Sequence, residues 1–130
     1  MGEYSTRIYE AIKYMKFTLS LPVSVNQMYK RGRGNSFYKS QKAKDWTLEA
    51  MYQIMKQKRG QARLKEGNYS LDVRVYIADK RRHDLDNMLK QICDVLVEKQ
   101  IIKDDSLITE IHIYKDEPLM GKSFIEVEVL

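Results

Sequence analysis

Apolar residues in this chain recur with two different spacings, and this pattern limits the fold more than any other feature of the sequence. Four segments alternate apolar and polar residues, as half-buried strands do, and they cover residues 15–21, 70–78, 107–114 and 124–130. Two others place an apolar residue every three or four positions, as on one face of an α-helix, and they cover residues 41–58 and 85–99. The predicted order is β-α-β-α-β-β.

This order predicts an α+β fold of two layers, in which both helices pack on one four-stranded mixed sheet. A chain of 130 residues suits a single domain. We expect that domain to span residues 15–130, after an N-terminal extension at residues 1–14. Residues 23–39, rich in Gly, Asn and basic residues, are expected to connect the first strand to the first helix.

Charge and cysteine content narrow the classes of function. The net charge of +5 favours a polyanionic partner. The single cysteine, Cys93, excludes an internal disulfide and a multi-cysteine zinc site, and suits a reducing cytosol. No apolar run approaches the roughly 20 residues of a membrane span, and the N-terminus lacks the apolar region of a signal peptide. A cytoplasmic protein without membrane contact is expected.

Two aspartates follow the densest positive run of the chain, in RRHDLDNMLKQICDVL at residues 81–96. Asp84 and Asp86 flank the start of the second predicted helix, where aspartate is a favoured cap and acids suit the helix dipole. A turn, KDDS, adds Asp104 and Asp105 before the next strand. Carboxylates that converge repel each other unless a cation binds, and oxygen ligands alone favour Mg²⁺ or Mn²⁺ over zinc. The acids are therefore either helix caps or ligands of a metal beside a polyanion.

A metal site next to basic residues suggests phosphodiester hydrolysis. Lys90 follows Asp86 by one helical turn on the same face, where it can stabilise charge that builds up on a phosphate. Its alternative role is an i,i+4 ion pair with Asp86 or Asp94, which contributes little to the stability of the helix.

Two basic clusters are candidates for DNA contacts: Lys30, Arg31 and Arg33 in the Gly-containing connection, and the run Lys80, Arg81 and Arg82. Aromatic residues follow the first cluster, so it can track a backbone and stack on an unpaired base. The alternative is an ordinary surface loop. Trp46 and Cys93 are expected in the core, and His83 is expected to do no more than touch phosphate.

The segment from the basic run before Asp84 to the Asp-Asp turn resembles the RusA family of Holliday junction resolvases. The family pattern is a basic run, Asp-x-Asp-Asn, a lysine four residues after the second aspartate, Asp-x-Leu a turn later, and an Asp-Asp turn before a strand. It is matched here by RRHDLDNMLKQICDVL and the later DDSLI. The segment LPVSVNQMY also resembles a Pro-Ser-x-Asn-x-x-Tyr segment of the family, with Pro22 displaced by one residue. The resemblance covers about residues 15–130.

The resemblance implies a homodimeric, Mg²⁺-dependent endonuclease, with Mn²⁺ able to substitute, that makes paired symmetric nicks in four-way DNA junctions during recombination and repair. Such enzymes are common in phages and prophages. By motif match, the metal ligands are Asp84, Asp86 and Asp105, and the catalytic lysine is Lys90. The residues that support the site are Asn26, Asn87 and Asp94.

Two alternatives remain open at the level of sequence. The first is a metal-dependent nuclease that uses the same acids on other branched DNA. The second is a non-catalytic protein that binds branched DNA and uses its acids only to cap a helix.

Overall fold

The computed structural model describes residues 14–24, 29–31, 37–58, 67–79, 83–117 and 121–130. The predicted extension lies outside these ranges except for Tyr14. Five candidate site residues also lie outside them: Asn26, Arg33, Lys80, Arg81 and Arg82. For Lys30 and Arg31 only the backbone is described.

The main elements follow the predicted order. The strands are Met15–Ser20 (β1), Tyr29–Arg31 (β2), Phe37–Lys39 (β3), Tyr69–Tyr76 (β4), Ile108–Asp116 (β5) and Phe124–Val129 (β6). The helices are Gln41–Gln57 (α1) and Leu85–Glu98 (α2), and a short 3₁₀ helix covers Asp105–Leu107. The sequence pattern missed β2 and β3, which pair antiparallel within the predicted connection. Strands of three residues are too short to display an alternation.

The sheet is mixed, as predicted, with strand order β1-β6-β4-β5. β6 pairs antiparallel with both β1 and β4, whereas β5 pairs parallel with β4. β4 therefore lies inside the sheet with a hydrogen-bonded neighbour on each side, and its carboxyl end is a firmly held point of the fold. The chain leaves that end towards α2.

The core lies between one sheet face and the two helices. Leu71, Val73 and Val75 of β4 are at most 1% exposed. α1 begins at its predicted cap, where the Ser40 hydroxyl accepts a hydrogen bond from the Ala43 N–H at 3.2 Å. Trp46 is buried, as predicted, and its indole N–H donates to the Ser20 carbonyl at 2.9 Å.

The opposite sheet face, here called the open face, is polar and acidic. The register places Lys16, Arg74 and His112 on it, together with five acids: Asp72, Glu110, Asp116, Glu126 and Glu128. Lys16 pairs with Glu126 at 2.8 Å, and Arg74 lies 3.8 Å from Asp116. A face with this charge repels a polyanion, so it is a poor surface for DNA.

The end of α2 turns the chain back along the helix. Gln100 adopts a left-handed conformation with φ 59°. The Ile101 N–H then bonds to the Leu96 carbonyl, and the Gln100 N–H to the Val97 carbonyl, both at 2.9 Å. These two bonds form a Schellman motif. Ile101 and Ile102 are buried beside it, so the following 3₁₀ helix lies against α2.

Candidate functional site

Asp84 stands at the N-cap position of α2, but its side chain makes no capping hydrogen bond. The helix is held at this end by its backbone, since the Met88 N–H bonds to the Asp84 carbonyl at 3.2 Å. Asp84 and Asp86 are both exposed. Capping therefore does not account for the Asp84 carboxylate, which weakens the interpretation of these acids as helix caps.

The solvent face of α2 consists of Asp86, Lys90 and Asp94, which are exposed at every fourth position. Its opposite face buries Met88, Ile92 and Leu96 to 1% exposure or less. That packing fixes the rotation of the helix about its axis. The exposed lysine is thus held on the same face as an acid one turn away on either side, as its spacing predicts.

Asp105 lies in the 3₁₀ helix that contacts α2. A side-chain hydrogen bond with Asp104, then partial desolvation and the nearby charges of Asp104 and Asp94, raise the pKa of the Asp105 carboxyl. The pKa of Asp104 is lowered instead, first by the Ser106 N–H, which donates to its Oδ1 at 3.0 Å. The charges of Asp104 and Asp94 therefore both act on the Asp105 carboxyl.

The turn after α2 leads Asp105 into the 3₁₀ helix that contacts α2. Burial, and then the charge of Asp105, raise the pKa of the Cys93 thiol, and the charge of Asp94 is among the causes that raise the pKa of Asp105. Asp94 follows Asp86 by two helical turns, which is about 12 Å along the axis. The chain therefore runs back along α2 after the helix ends, and Asp105 interacts with the part of the helix around Cys93 and Asp94.

Among the described residues, no group of three His, Cys, Asp or Glu lies close enough together to hold a metal. Mg²⁺ does not need such a group, because it commonly binds through one or two carboxylates and completes its shell with water and substrate phosphate oxygens. Asp84 and Asp86 offer two exposed carboxylates separated by one residue. These all-oxygen donors fit a hard divalent ion.

Asn87 and Gln91 tie α2 to the segment that follows β1. The carbonyl oxygen of Val23 accepts a hydrogen bond from the Gln91 amide at 2.9 Å and one from the Asn87 amide at 3.3 Å. Asn87 thus supports the position of the chain three residues before Asn26, as well as standing next to Asp86. Sequence reasoning missed Gln91, although a glutamine among buried positions of an apolar helix face is a usable signal.

His83 and Asp79 form a second contact that sequence reasoning missed. The His83 side chain is 7% exposed, and its Nε2 lies 2.8 Å from Oδ1 of Asp79. Its Nδ1 is buried without a hydrogen-bond partner among the described atoms. This burial leaves His83 little exposed surface for a contact with phosphate.

Lys30 and Arg31 of the first basic cluster lie in β2, which pairs antiparallel with β3. Lys30 lies opposite Tyr38, and Arg31 lies opposite Phe37. The hairpin leads directly into the N-terminus of α1 through Ser40. No helix in the described part of the chain has the length and apolar character needed to cross a bilayer.

Exposed carboxylates and a lysine along one helix of an α+β domain are compatible with a metal-dependent nuclease. Comparison with known proteins specifies which one. The family model described as "Endodeoxyribonuclease RusA" matches residues 21–129. The chain belongs to the RusA family, which confirms the resemblance found in its sequence.

Two curated relatives carry the same family name. The chain is 34% identical over 95 residues to "Crossover junction endodeoxyribonuclease RusA" of Aquifex aeolicus (strain VF5), covering 73% of this chain and 74% of that protein. It is 29% identical over 106 residues to "Crossover junction endodeoxyribonuclease rusA" of Enterobacteria phage HK97, covering 82% of this chain and 86% of that protein.

Proposed function

We propose that this protein is a Holliday junction resolvase that makes paired symmetric nicks in four-way DNA junctions, with Mg²⁺ as its cofactor and Mn²⁺ able to replace it. The observation that carries the proposal is the family match over residues 21–129. That span includes Asp84, Asp86, Lys90 and Asp105. Both curated relatives are named for cleavage at crossover junctions.

Asp84 and Asp86 are proposed as the main ligands of the ion. Their support is the exposure of both carboxylates. A divalent ion held by these carboxylates would supply Lewis-acid activation of the phosphate and of a water nucleophile. Asp105 is proposed as a further ligand by its motif position, and the electrostatic crowding around it is the kind that a cation relieves.

Lys90 is proposed to stabilise the negative charge that grows on the phosphate in the transition state. Its support is its position on the solvent face of α2, one turn after Asp86. Asp94 is proposed to position Lys90 from the next turn. Asn87 is proposed to hold the neighbouring segment through the Val23 carbonyl.

DNA is proposed to bind away from the open face, whose acids repel phosphate. The proposed contacts are basic residues of the hairpin region and of the run before Asp84: Lys30, Arg31, Arg33, Lys80, Arg81 and Arg82. Such binding rests on phosphate contacts and junction shape.

A homodimer is proposed as the working form, because two symmetric nicks in a four-way junction need two equivalent sites, and a two-fold dimer supplies them. The proposed location is the bacterial cytosol, whether the gene belongs to the bacterium or to a phage or prophage. The buried, unpaired Cys93 suits that reducing compartment.

A cleavage assay tests the proposal. The purified chain is mixed with a labelled four-way junction or a matched linear duplex, in Mg²⁺ or in EDTA. We expect paired nicks in the junction alone, only with metal. Asp86→Asn should abolish cleavage and preserve or tighten binding, because it removes negative charge near phosphate. The matched control is Asp72→Asn on the open face, which should cut normally.

Each other outcome identifies another function. Cleavage of flaps or other branches in preference to junctions indicates a nuclease of different substrate range. Tight junction binding without cleavage in Mg²⁺ or Mn²⁺ indicates a binding protein. If Asp86→Asn cuts as fast as the unmodified chain, the metal-site assignment is wrong.

A further inference from the structure

The hydrogen bond between His83 and Asp79 joins two firmly held parts of the fold. Asp79 follows the carboxyl end of β4, the strand with neighbours on both sides. His83 directly precedes Asp84, the N-cap residue of α2. The chain between them, residues 80–82, lies outside the described ranges. The bond therefore links the exit of the central strand to the entry of the helix that carries the acids.

The chemistry of the pair defines its direction. A carboxylate can only accept hydrogen bonds, so the Nε2–H of His83 donates to Oδ1 of Asp79 across 2.8 Å. The imidazole is 7% exposed and the aspartate 32%. A hydrogen bond sheltered from water is stronger than an exposed one and restricts the ring to one orientation.

His83 cannot act directly on DNA in this position. Nε2 is committed to Asp79, and Nδ1 is buried. Its effect must pass through the backbone, and the next residue along that backbone is Asp84. A displacement of the His83 backbone therefore also displaces Asp84, the next residue, and Asp86, which follows Asp84 by two positions.

We propose that Asp79 and His83 are positioning residues that hold the start of α2 so that the Asp84 and Asp86 carboxylates face a divalent ion together. This inference rests on the proposed function, because it assigns a role toward the same metal site. In this proposal neither residue is itself a ligand of the ion. Groups that orient metal ligands through hydrogen bonds commonly change metal affinity or activity by about 10- to 100-fold when removed.

The test removes the bond and then restores it. His83→Ala deletes the donor. His83→Gln keeps a donor, because the glutamine amide nitrogen can occupy a place near that of Nε2. Asp79→Ala removes the acceptor from the more exposed side, which keeps the test usable if His83→Ala fails to fold. Folding is followed by the fluorescence of Trp46, the single tryptophan.

The molecule supplies a matched control. His112 on β5 also lies 2.8 Å from a carboxylate, Oε1 of Glu110, but its side chain is 61% exposed and lies on the open face. His112→Ala removes a histidine–carboxylate pair of the same chemistry, remote from α2. It should leave metal binding unchanged.

Two readouts separate positioning from simple stability. The first is Mn²⁺ binding to the protein without DNA, measured by electron paramagnetic resonance. The second is the Mg²⁺ concentration that gives half-maximal single-turnover cleavage, beside the junction dissociation constant in EDTA. We expect His83→Ala and Asp79→Ala to weaken Mn²⁺ binding and raise the half-maximal Mg²⁺ concentration about tenfold. His83→Gln should stay within about threefold of the unmodified chain, and junction binding in EDTA should change less than about twofold.

The outcomes distinguish this inference from the function on which it rests. Folded His83→Ala or Asp79→Ala protein with unmodified Mn²⁺ affinity would overturn the positioning role, as would equal damage by His83→Gln and His83→Ala. Normal cleavage by Asp86→Asn would overturn the metal site itself. If Asp86→Asn is inactive while both alanine variants keep their metal dependence, only the positioning role fails.

Discussion

The side-chain amide of Gln91 donates a hydrogen bond to the carbonyl oxygen of Val23 at 2.9 Å, across 68 positions of sequence. Gln91 is 3% exposed and lies within the helix that carries the candidate acids. The bond fastens the segment after β1 to that helix. Asn87 donates to the same oxygen at 3.3 Å, so one acceptor is shared by two donors of α2.

This sharing predicts a non-additive effect on stability. Gln91→Ala or Asn87→Ala alone leaves the Val23 carbonyl with one donor, so each should lower the free energy of unfolding by about 0.5–1.5 kcal/mol. The double variant removes both donors, and its destabilisation should exceed the sum of the two single effects by about 1 kcal/mol. Urea unfolding, followed by the fluorescence of Trp46, measures the free energy of unfolding of the unmodified chain, the two single variants and the double variant.

A glutamine in an exposed setting serves as the control. Gln57 bonds the backbone of Thr18 through both ends of its amide, at 2.7 Å each, but the interaction is open to water. Gln57→Ala should cost less than Gln91→Ala, because water can take the place of the glutamine amide. Strict additivity of the Asn87 and Gln91 effects would argue against a shared acceptor.

The turn after α2 predicts opposite effects of two substitutions at Gln100. Its φ of 59° is strained for any residue with a Cβ, and most of all for a β-branched one. Gln100→Gly should change the free energy of unfolding by between about 0 and +1 kcal/mol, because relief of strain is partly offset by a more flexible unfolded chain. Gln100→Val should destabilise by about 1 kcal/mol or more. Thermal unfolding measures the stabilities of the two variants. A Gln100→Val variant as stable as Gln100→Gly would contradict the left-handed conformation at this position.

Burial of Cys93 predicts a pH dependence of stability. Burial first, and then the charges of Asp105 and Asp94, raise the pKa of the thiol from 9.0 to about 11. The folded state therefore holds the proton over a range in which the unfolded state releases it. This contribution to stability is complete below pH 9 and is lost as the pH rises towards 11.

Unfolding in urea across this pH range tests the linkage. The free energy of unfolding should fall more steeply with pH for the unmodified chain than for Cys93→Ala, since other groups titrate equally in both. In the folded protein the thiol should also react slowly with iodoacetamide at about pH 8, below the raised pKa. Rapid alkylation without unfolding would show that Cys93 is accessible.

The charge distribution predicts which surfaces set the salt dependence of junction binding. Removal of one phosphate contact should reduce the slope of log K against log salt by about one unit, so Lys30→Ala and Arg31→Ala should lower it. Glu110→Gln on the open face should leave the slope unchanged. Equal effects of both kinds of variant, measured by fluorescence anisotropy at several salt concentrations, would rule out the proposed orientation on DNA.

Residue spacing along the chain was enough to predict the two layers, the order of the main elements and the solvent face of α2. These features depend on residues close together in sequence, because side chains return to the same face every two positions in a strand and every three to four in a helix. The same spacing placed Lys90 between Asp86 and Asp94 on one exposed face. In α1 the residue after the buried Ile54, Met55, is 59% exposed, because one step along a helix rotates the side chain by about 100°.

The contacts between residues that are distant in sequence could be identified only from the tertiary structure. The Schellman turn brings the 3₁₀ helix that contains Asp105 against α2, the sheet order fixes the exit of β4, and packing brings Val23 to Gln91 and buries His83 against Asp79. Such contacts depend on how rigid elements are arranged, and local periodicity carries no record of that arrangement. The acids and the lysine of the candidate site could therefore be named from the sequence, whereas the hydrogen bonds that brace the helix carrying them required the tertiary structure.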